Sequence, residues 1–342
     1  MRRIPRPVRI AINIALSAGV LAYLIWQIDL GRTIDEIAGA NGWLLLAAFA
    51  VFAASTFGMA WRWQLLLVAR GIVEPFRWLV TLYFLGYAAT QVLPTGIGGD
   101  ALRIVEHSRR RPEQKGEVAA AVLLERVIGS AGVLVLVAVG LVFAIGRYDD
   151  VEFLILVELV SVLLVAAGFF LLFSTRARRR LGFLGDVAKK LRIERPARSV
   201  YEAMHVYRER PRTIVAVVGV SVVLQFVRII SIWLCGEAVG LDLPLLVYVI
   251  LGPLLFLVMM VPFTINGLGV REAFFVAFLG RFGVDPDAAF ATGFLFYAVT
   301  IATSIPGALI LLWRSARPAF GSAKPAGQRT ISVRARSGAL DE

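Results

Sequence analysis

The chain alternates between long apolar runs and short connections rich in arginine. Continuous apolar segments occupy 8–28, 43–60, 118–146, 153–173, 213–235 and 286–313. Roughly 20 apolar residues carry a helix across a hydrocarbon core of about 30 Å, so each segment is long enough to span. The pattern predicts an all-α, polytopic integral membrane protein with about six full transmembrane helices.

Two further apolar segments, 78–93 and 244–261, stop at Pro94 and Pro262. After each break come glycines and a short second helix. The first break, QVLPTGIGGDALRIVEH over Gln91–His107, also brings charge. The prediction is two re-entrant helical hairpins, 78–107 and 244–281, each returning to the side it entered from. Irregular backbone at membrane depth is tolerated only where it is buried in protein or lines a watery cavity. Both breaks are therefore expected to face an interior site.

A shift of 168 positions lays Pro94 on Pro262, Ile97 on Ile265, Gly99 on Gly267 and Arg103 on Arg271. The order of segments repeats as well: two spans, a hairpin and a span. This divides the chain into repeat 1 (1–146), repeat 2 (147–313) and a basic tail (314–342). The repeats have opposite orientation, so the two hairpins should enter from opposite sides. Inverted repeats with broken helices near the midplane are a recurring plan of secondary transporters.

Charge sets the orientation. The 342 residues are 58% hydrophobic and only 18% charged, with a net charge of +12. That excess would suit a nucleic-acid partner if it formed a surface patch, but it lies at the edges of apolar runs, so no nucleic-acid partner is expected. Of the 36 basic residues, thirty fall on one side, including Arg62 and Arg109–Arg111. Arg32, Arg147 and Arg281 fall on the other, and Arg126, Arg228 and Arg271 lie at membrane depth. Basic loops stay inside, which places both termini in the cytoplasm provided the two broken segments do not cross. Arg2, Arg3, Arg6 and Arg9 precede the first run with no cleavage pattern, so that segment reads as a retained helix. The loop 174–212 carries Leu184, Val187, Ala188 and Leu191 at helical spacing. It suits either an interfacial basic helix on anionic headgroups or a solvated positive-inside loop. The tail is rich in Gly, Ser, Pro and Arg and is expected to be disordered.

One cysteine and two histidines leave no disulfide and no expected metal site. No P-loop lysine, GxSxG or HExxH motif occurs, so no cofactor and no enzymatic activity are expected.

Candidate chemistry lies at the breaks. Beyond Pro94, Gly98 and Gly99 should open the turn, with Thr95 beside them and Asp100 capping the returning helix. The inward-pointing helix N-terminus, with Arg103 one turn on, is a natural seat for a phosphate. Beyond Pro262, Thr264, Asn266 (as cap), Gly267, Gly269, Arg271 and Glu272 repeat the device. Glu125 and Arg126 lie about 10 Å into their span at 1.5 Å per residue. Ionisable groups there face a cavity or a partner, and Glu125 with Arg103 and Arg126 with Asp100 are the expected pairs. These pairs are either structural or part of the substrate site. Arg62 sits near the cytoplasmic end of its helix, and the flanking Trp61 and Trp63 fit an interfacial aromatic belt.

The stretches LPTGIGGDALR, LLERVIGS and VPFTINGLGVREAFF together resemble the lysylphosphatidylglycerol synthase transmembrane-region family, over about residues 10–315. The resemblance implies lipid translocation, with Pro94, Gly98, Gly99, Asp100, Arg103, Glu125, Arg126, Pro262, Gly267, Gly269, Arg271 and Glu272 as functional positions. In the fused synthase an aminoacyl-transferase domain follows this region; this sequence has none, so aminoacyl-lipid synthesis is not expected. The leading expectation is a flippase for a phospholipid or other anionic or polyprenyl-type lipid, working by alternating access. Membrane lipids, a second copy of the chain or an envelope-biogenesis protein are the expected partners. Two alternatives remain: a membrane-embedded enzyme acting on a phosphate lipid, with Asp100 or Glu125 as base, and a non-transporting accessory subunit of an envelope machine.

Overall fold

The computed structural model describes residues 28–92, 98–144, 210–260, 267 and 269–316, with isolated positions 23, 156 and 163. Nearly all of the expected spans 8–28 and 153–173, the loop 174–209 and the tail from 317 lie outside the described residues. So do Pro94, Thr95, Pro262, Thr264 and Asn266. The described residues are all-α.

Four helices are long and apolar enough to cross a membrane: α2 (Gly42–Val68), α5 (Lys115–Ala144), α6 (Pro211–Val239) and α9 (Pro286–Ala316). α2, α6 and α9 each contain a predicted span, α2 running eight residues past its expected end, while α5 covers 118–144 of the expected 118–146. Residues 314–316, assigned to the tail by sequence, complete α9. The helix α1 (Leu30–Gly39) has no counterpart in the sequence reading. Asp29 caps it, accepting from the Gly31 and Arg32 N–H groups at 2.9 and 3.3 Å.

Helices α2 and α6 form the antiparallel centre. At one end the Asn41 N–H donates to the Ala238 carbonyl at 2.8 Å, tying the start of α2 to the end of α6. The Asn41 side chain meanwhile caps α2, accepting from Trp43 and Leu44. Between the long helices lie two pairs of shorter ones, α3 (Phe76–Val92) with α4 (Gly98–Arg110), and α7 (Leu245–Met260) with α8 (Val270–Leu279). The last residues of α3 and α7, Val92 and Met260, are 168 positions apart, like the prolines that follow them.

The two helices of each pair are in contact. Glu74, just before α3, lies 3.2 Å from Arg111, just after α4. Arg314, near the end of α9, donates to Glu106 of α4 at 2.9 Å. In the second hairpin Val247 and Tyr248 near the start of α7 share a core with Leu279 at the end of α8 and with Cys235 near the end of α6. Packing also pairs across the halves: α3 lies against α9 as α7 lies against α5.

Lipid gives apolar side chains little reason to leave it, so helices in a bilayer associate through close packing and polar bonds. Small residues accordingly sit at the crossings. A Cβ on Gly140 would stand 3.3 Å from the Val249 carbonyl of α7. One on Gly307 of α9 would collide with the Phe84 carbonyl of α3. Outward, α6 and α9 present Val215, Val223, Ile305, Leu309 and Leu312, a surface suited to acyl chains.

Candidate ion-pair site at the hairpin breaks

The first hairpin carries a buried network joining four helices. Asp100, in the first turn of α4, accepts from Arg103 through Oδ1 and from Arg126 of α5 through Oδ2. Arg103 also donates to Glu125 Oε2 at 3.1 Å. Glu125 Oε1 accepts from Arg62 of α2 at 2.7 Å and from the Tyr83 hydroxyl of α3. Arg103 further stacks its guanidinium over the Tyr83 and Trp63 rings, at 4.2 and 4.9 Å to their centroids. Both pairs expected from sequence, Glu125 with Arg103 and Arg126 with Asp100, are formed. Arg62, Arg103 and Glu125 are all 5% exposed or less, while the Arg126 side chain is 38% exposed.

Several readings need correcting. Arg62 does not lie near the end of its helix but is a buried partner of Glu125; α2 continues to Val68, beyond the apolar window that suggested a terminus. Trp63 is completely buried, and only Trp61 of that pair is exposed. Asp100 lies two residues inside α4 rather than at its cap position, and both its oxygens accept from arginines. Gly98 and Gly99 lie within the first turn of α4 rather than in a positive-φ turn; Gly99 serves close approach instead. A Cβ there would meet the Gly86 carbonyl of α3 at 2.6 Å.

The second hairpin is arranged differently. Gly267 and Gly269 do adopt positive φ, at 74° and 84°. The cap position of α8 belongs to Gly269, not Asn266. Glu272 folds back so that its Oε2 accepts from the Gly269 N–H at 2.7 Å. Its Oε1 takes Arg271 Nη2 at 3.0 Å, and the guanidinium covers the Tyr297 ring at 4.4 Å. Arg271 and Glu272 are 2% and 1% exposed. Among the described residues no bond joins this cluster to the first. Arg103 and Arg271 each lie inside their own half.

Sequence reasoning left aside Tyr83, Ser221 and the surroundings of Arg228. Arg62 Nη1 donates to Ser221 of α6 at 3.0 Å, and Arg228 Nε of α6 donates to Ser55 of α2 at 3.4 Å. Ser221 and Arg228 stand 166 positions after Ser55 and Arg62. The two bonds therefore exchange places when one half is laid on the other. A serine–arginine pair seven residues apart, occurring twice at one offset, is the signal that was available in the sequence.

Four long apolar helices packed around shorter ones, with ion pairs buried among them, define a polytopic membrane protein. The chain belongs to the lysylphosphatidylglycerol synthase transmembrane-region family, whose model matches residues 10–307. It is also similar to a UPF0104 membrane protein of Methanothermobacter thermautotrophicus, 25% identical over 341 residues that cover 91% of this chain and 96% of that protein.

Proposed function

We propose that the protein moves a phospholipid or other anionic lipid between the leaflets of the bacterial inner membrane by alternating access, without enzymatic activity of its own. The reading takes α3–α4 and α7–α8 as re-entrant hairpins entering from opposite faces of an inverted repeat, with both chain termini cytoplasmic. The observation that carries it is the reciprocal bonding of Arg62 to Ser221 and Arg228 to Ser55 at one fixed offset. Two halves joined through matched contacts at a central antiparallel pair can rock about that pair. Each hairpin moves with its own half, so the midplane site faces one leaflet and then the other. Acyl chains stay in lipid beside the apolar outer faces, while the headgroup crosses between the breaks.

The headgroup exchanges with carboxylates in this scheme. Arg103 grips Asp100 and Glu125 with two arms, and a phosphate offers the same forked acceptor geometry. As carboxylates whose oxygens already accept bonds from cations or a phenol, Asp100 and Glu125 suit a counter-ion role better than that of a catalytic base.

Translocation of fluorescent lipids in liposomes tests the reading. Anionic lipids should cross faster than in protein-free liposomes and faster than zwitterionic ones. Arg103→Lys and Arg271→Lys keep the charge but lose the fork, and each should slow crossing at least tenfold. Wild-type rates in both variants, or no crossing above the protein-free background, would remove the proposal.

Orientation is tested separately by cysteine labelling in a Cys235→Ser background, Cys235 being fully buried. A cysteine replacing exposed Arg109 should label only from the cytoplasm, and one replacing exposed Arg281 only from outside. Labelling of both from one side would contradict opposed hairpins.

A further inference from the structure

The repeat that matches Arg62 with Arg228 does not match their counter-ions. Arg62 has the Glu125 carboxylate at 2.7 Å. Arg228 lies in the middle of α6, and every partner it has among the described residues is neutral. Its Nε donates to the Ser55 hydroxyl at 3.4 Å, and its Nη2 to the Met59 sulfur at 2.9 Å and to the Tyr87 hydroxyl. Its guanidinium lies 5.0 Å from the Phe52 ring centroid. Nη1 takes part in none of these bonds. Where the crossing glycines Gly140 and Gly307 set the offset at 167, the position of Glu125 is taken by Thr292, whose hydroxyl is spent on its own helix at Ala288.

A permanent cation at that depth is costly without an opposite charge, and arginine does not discard its proton. Hydroxyl, thioether and ring each offer electron density but no charge. Arg228 is also partly exposed rather than sealed, so an incoming group can reach it. We infer that Arg228, with Tyr87 and Ser55, is the seat of a bound monoanionic phosphodiester, the ligand supplying the charge that Glu125 supplies to Arg62. Tyr83 and Tyr87, one turn apart on α3, then serve the two centres alike: Tyr83 bonds the protein's own carboxylate, and Tyr87 stands beside the ligand. This deepens the transport reading by naming a second headgroup position in the other half, yet it concerns binding at equilibrium and is measurable without flux.

The experiment is native mass spectrometry of the full-length protein with phosphatidylglycerol against phosphatidylcholine, and with soluble glycerophosphorylglycerol as a third arm. The wild type should retain the anionic lipid over the zwitterionic one at least tenfold. Arg228→Leu should cut that preference at least fivefold, and Arg228→Lys should keep part of it. Met59→Glu places a carboxylate against the guanidinium and should displace the lipid to the same extent, whereas Met59→Gln should not. If Arg228→Leu fails to fold, the two Met59 variants decide the matter. Displacement of the lipid by the soluble diester at matched concentration would make the ligand water-borne; retention of lipid alone would make it a membrane component. An unchanged preference in folded Arg228→Leu or Met59→Glu protein, or no preference in the wild type, overturns the inference. Loss of lipid crossing with this preference intact would count against transport instead.

Discussion

Glu125→Gln should destabilise the protein more than Arg103→Gln, by about 3–5 kcal/mol against about 1–3 kcal/mol, the ranges for stripping a buried pair of one partner and for losing a hydrogen bond to a charged group. The order follows from charge. Arg62 and Arg103 share Glu125, while Arg103 and Arg126 share Asp100. Removing the Glu125 charge leaves three guanidiniums around one carboxylate, with Arg62 holding only Ser221. Removing Arg103 leaves two one-to-one pairs, Arg62 with Glu125 and Arg126 with Asp100. The residue expected to grip substrate is thus the more dispensable one for folding. Unfolding in mixed micelles with rising SDS, followed by helix signal, provides the measurement. Combining Glu125→Gln with Arg62→Gln should recover about 0.5–3 kcal/mol through coupling. If Arg103→Gln proves the costlier change, or if the double variant shows no recovery, the arginines are not balanced around Glu125 in this way.

Some of this network was legible beforehand. Glu125 and Arg126 stand inside an apolar run, where a lone charge is expensive, and the only acid and base within ten residues of Pro94 are Asp100 and Arg103. Arg62 was harder to read. It lies beyond the apolar window 43–60, and windowed hydropathy reads a charge between two tryptophans as an interface. The helix in fact runs on to Val68, because the Arg62 charge is met inside the protein by Glu125. Tyr83 was harder still, since a tyrosine in an apolar run looks like core until a carboxylate is seen beside its hydroxyl. The breaks themselves were plain from Pro94 and Pro262, and α3 and α7 stop two residues before them. The chemistry beyond each break was not, because one residue decides it. Repeat 2 carries Glu272 beside Arg271, where repeat 1 has Ile104 after Arg103. Arg271 therefore finds its counter-ion on the same helix, whereas Arg103 reaches across to α5.

Valine at Gly99 or Gly307 should cost the protein its folded yield, while valine at Gly219 should be tolerated. These glycines differ in what a Cβ would meet. At Gly99 it meets the Gly86 carbonyl at 2.6 Å and the Thr90 hydroxyl at 2.8 Å, and at Gly307 the Phe84 carbonyl; at Gly219 nothing lies within 4 Å. Side-chain neighbours can rotate away, but a carbonyl held in a helix moves only with its helix. Overpacking usually costs about 1–3 kcal/mol, and collision with backbone should lie at the upper end. At Gly219 the change stays within about 0.5 kcal/mol, and alanine there should stabilise, since glycine gives up to about 1 kcal/mol against alanine in a helix interior. Alanine is the sharper probe, because it adds the colliding atom and improves helix propensity together. Gly99→Ala and Gly307→Ala should destabilise where Gly219→Ala stabilises, a difference of sign that propensity cannot produce. Gly132 and Gly140, inside an uninterrupted span, look like natural controls by sequence, but each lies at a crossing, with Ser221 Cβ at 3.1 Å and the Val249 carbonyl at 3.3 Å. Both should show intermediate losses. Gly267 tests a separate cause, for its φ of 74° strains any other residue whatever the space around it. Should all these alanine variants behave like Gly219→Ala, the halves are not held by backbone approach at glycine, and rocking about a tightly packed central pair loses its structural basis.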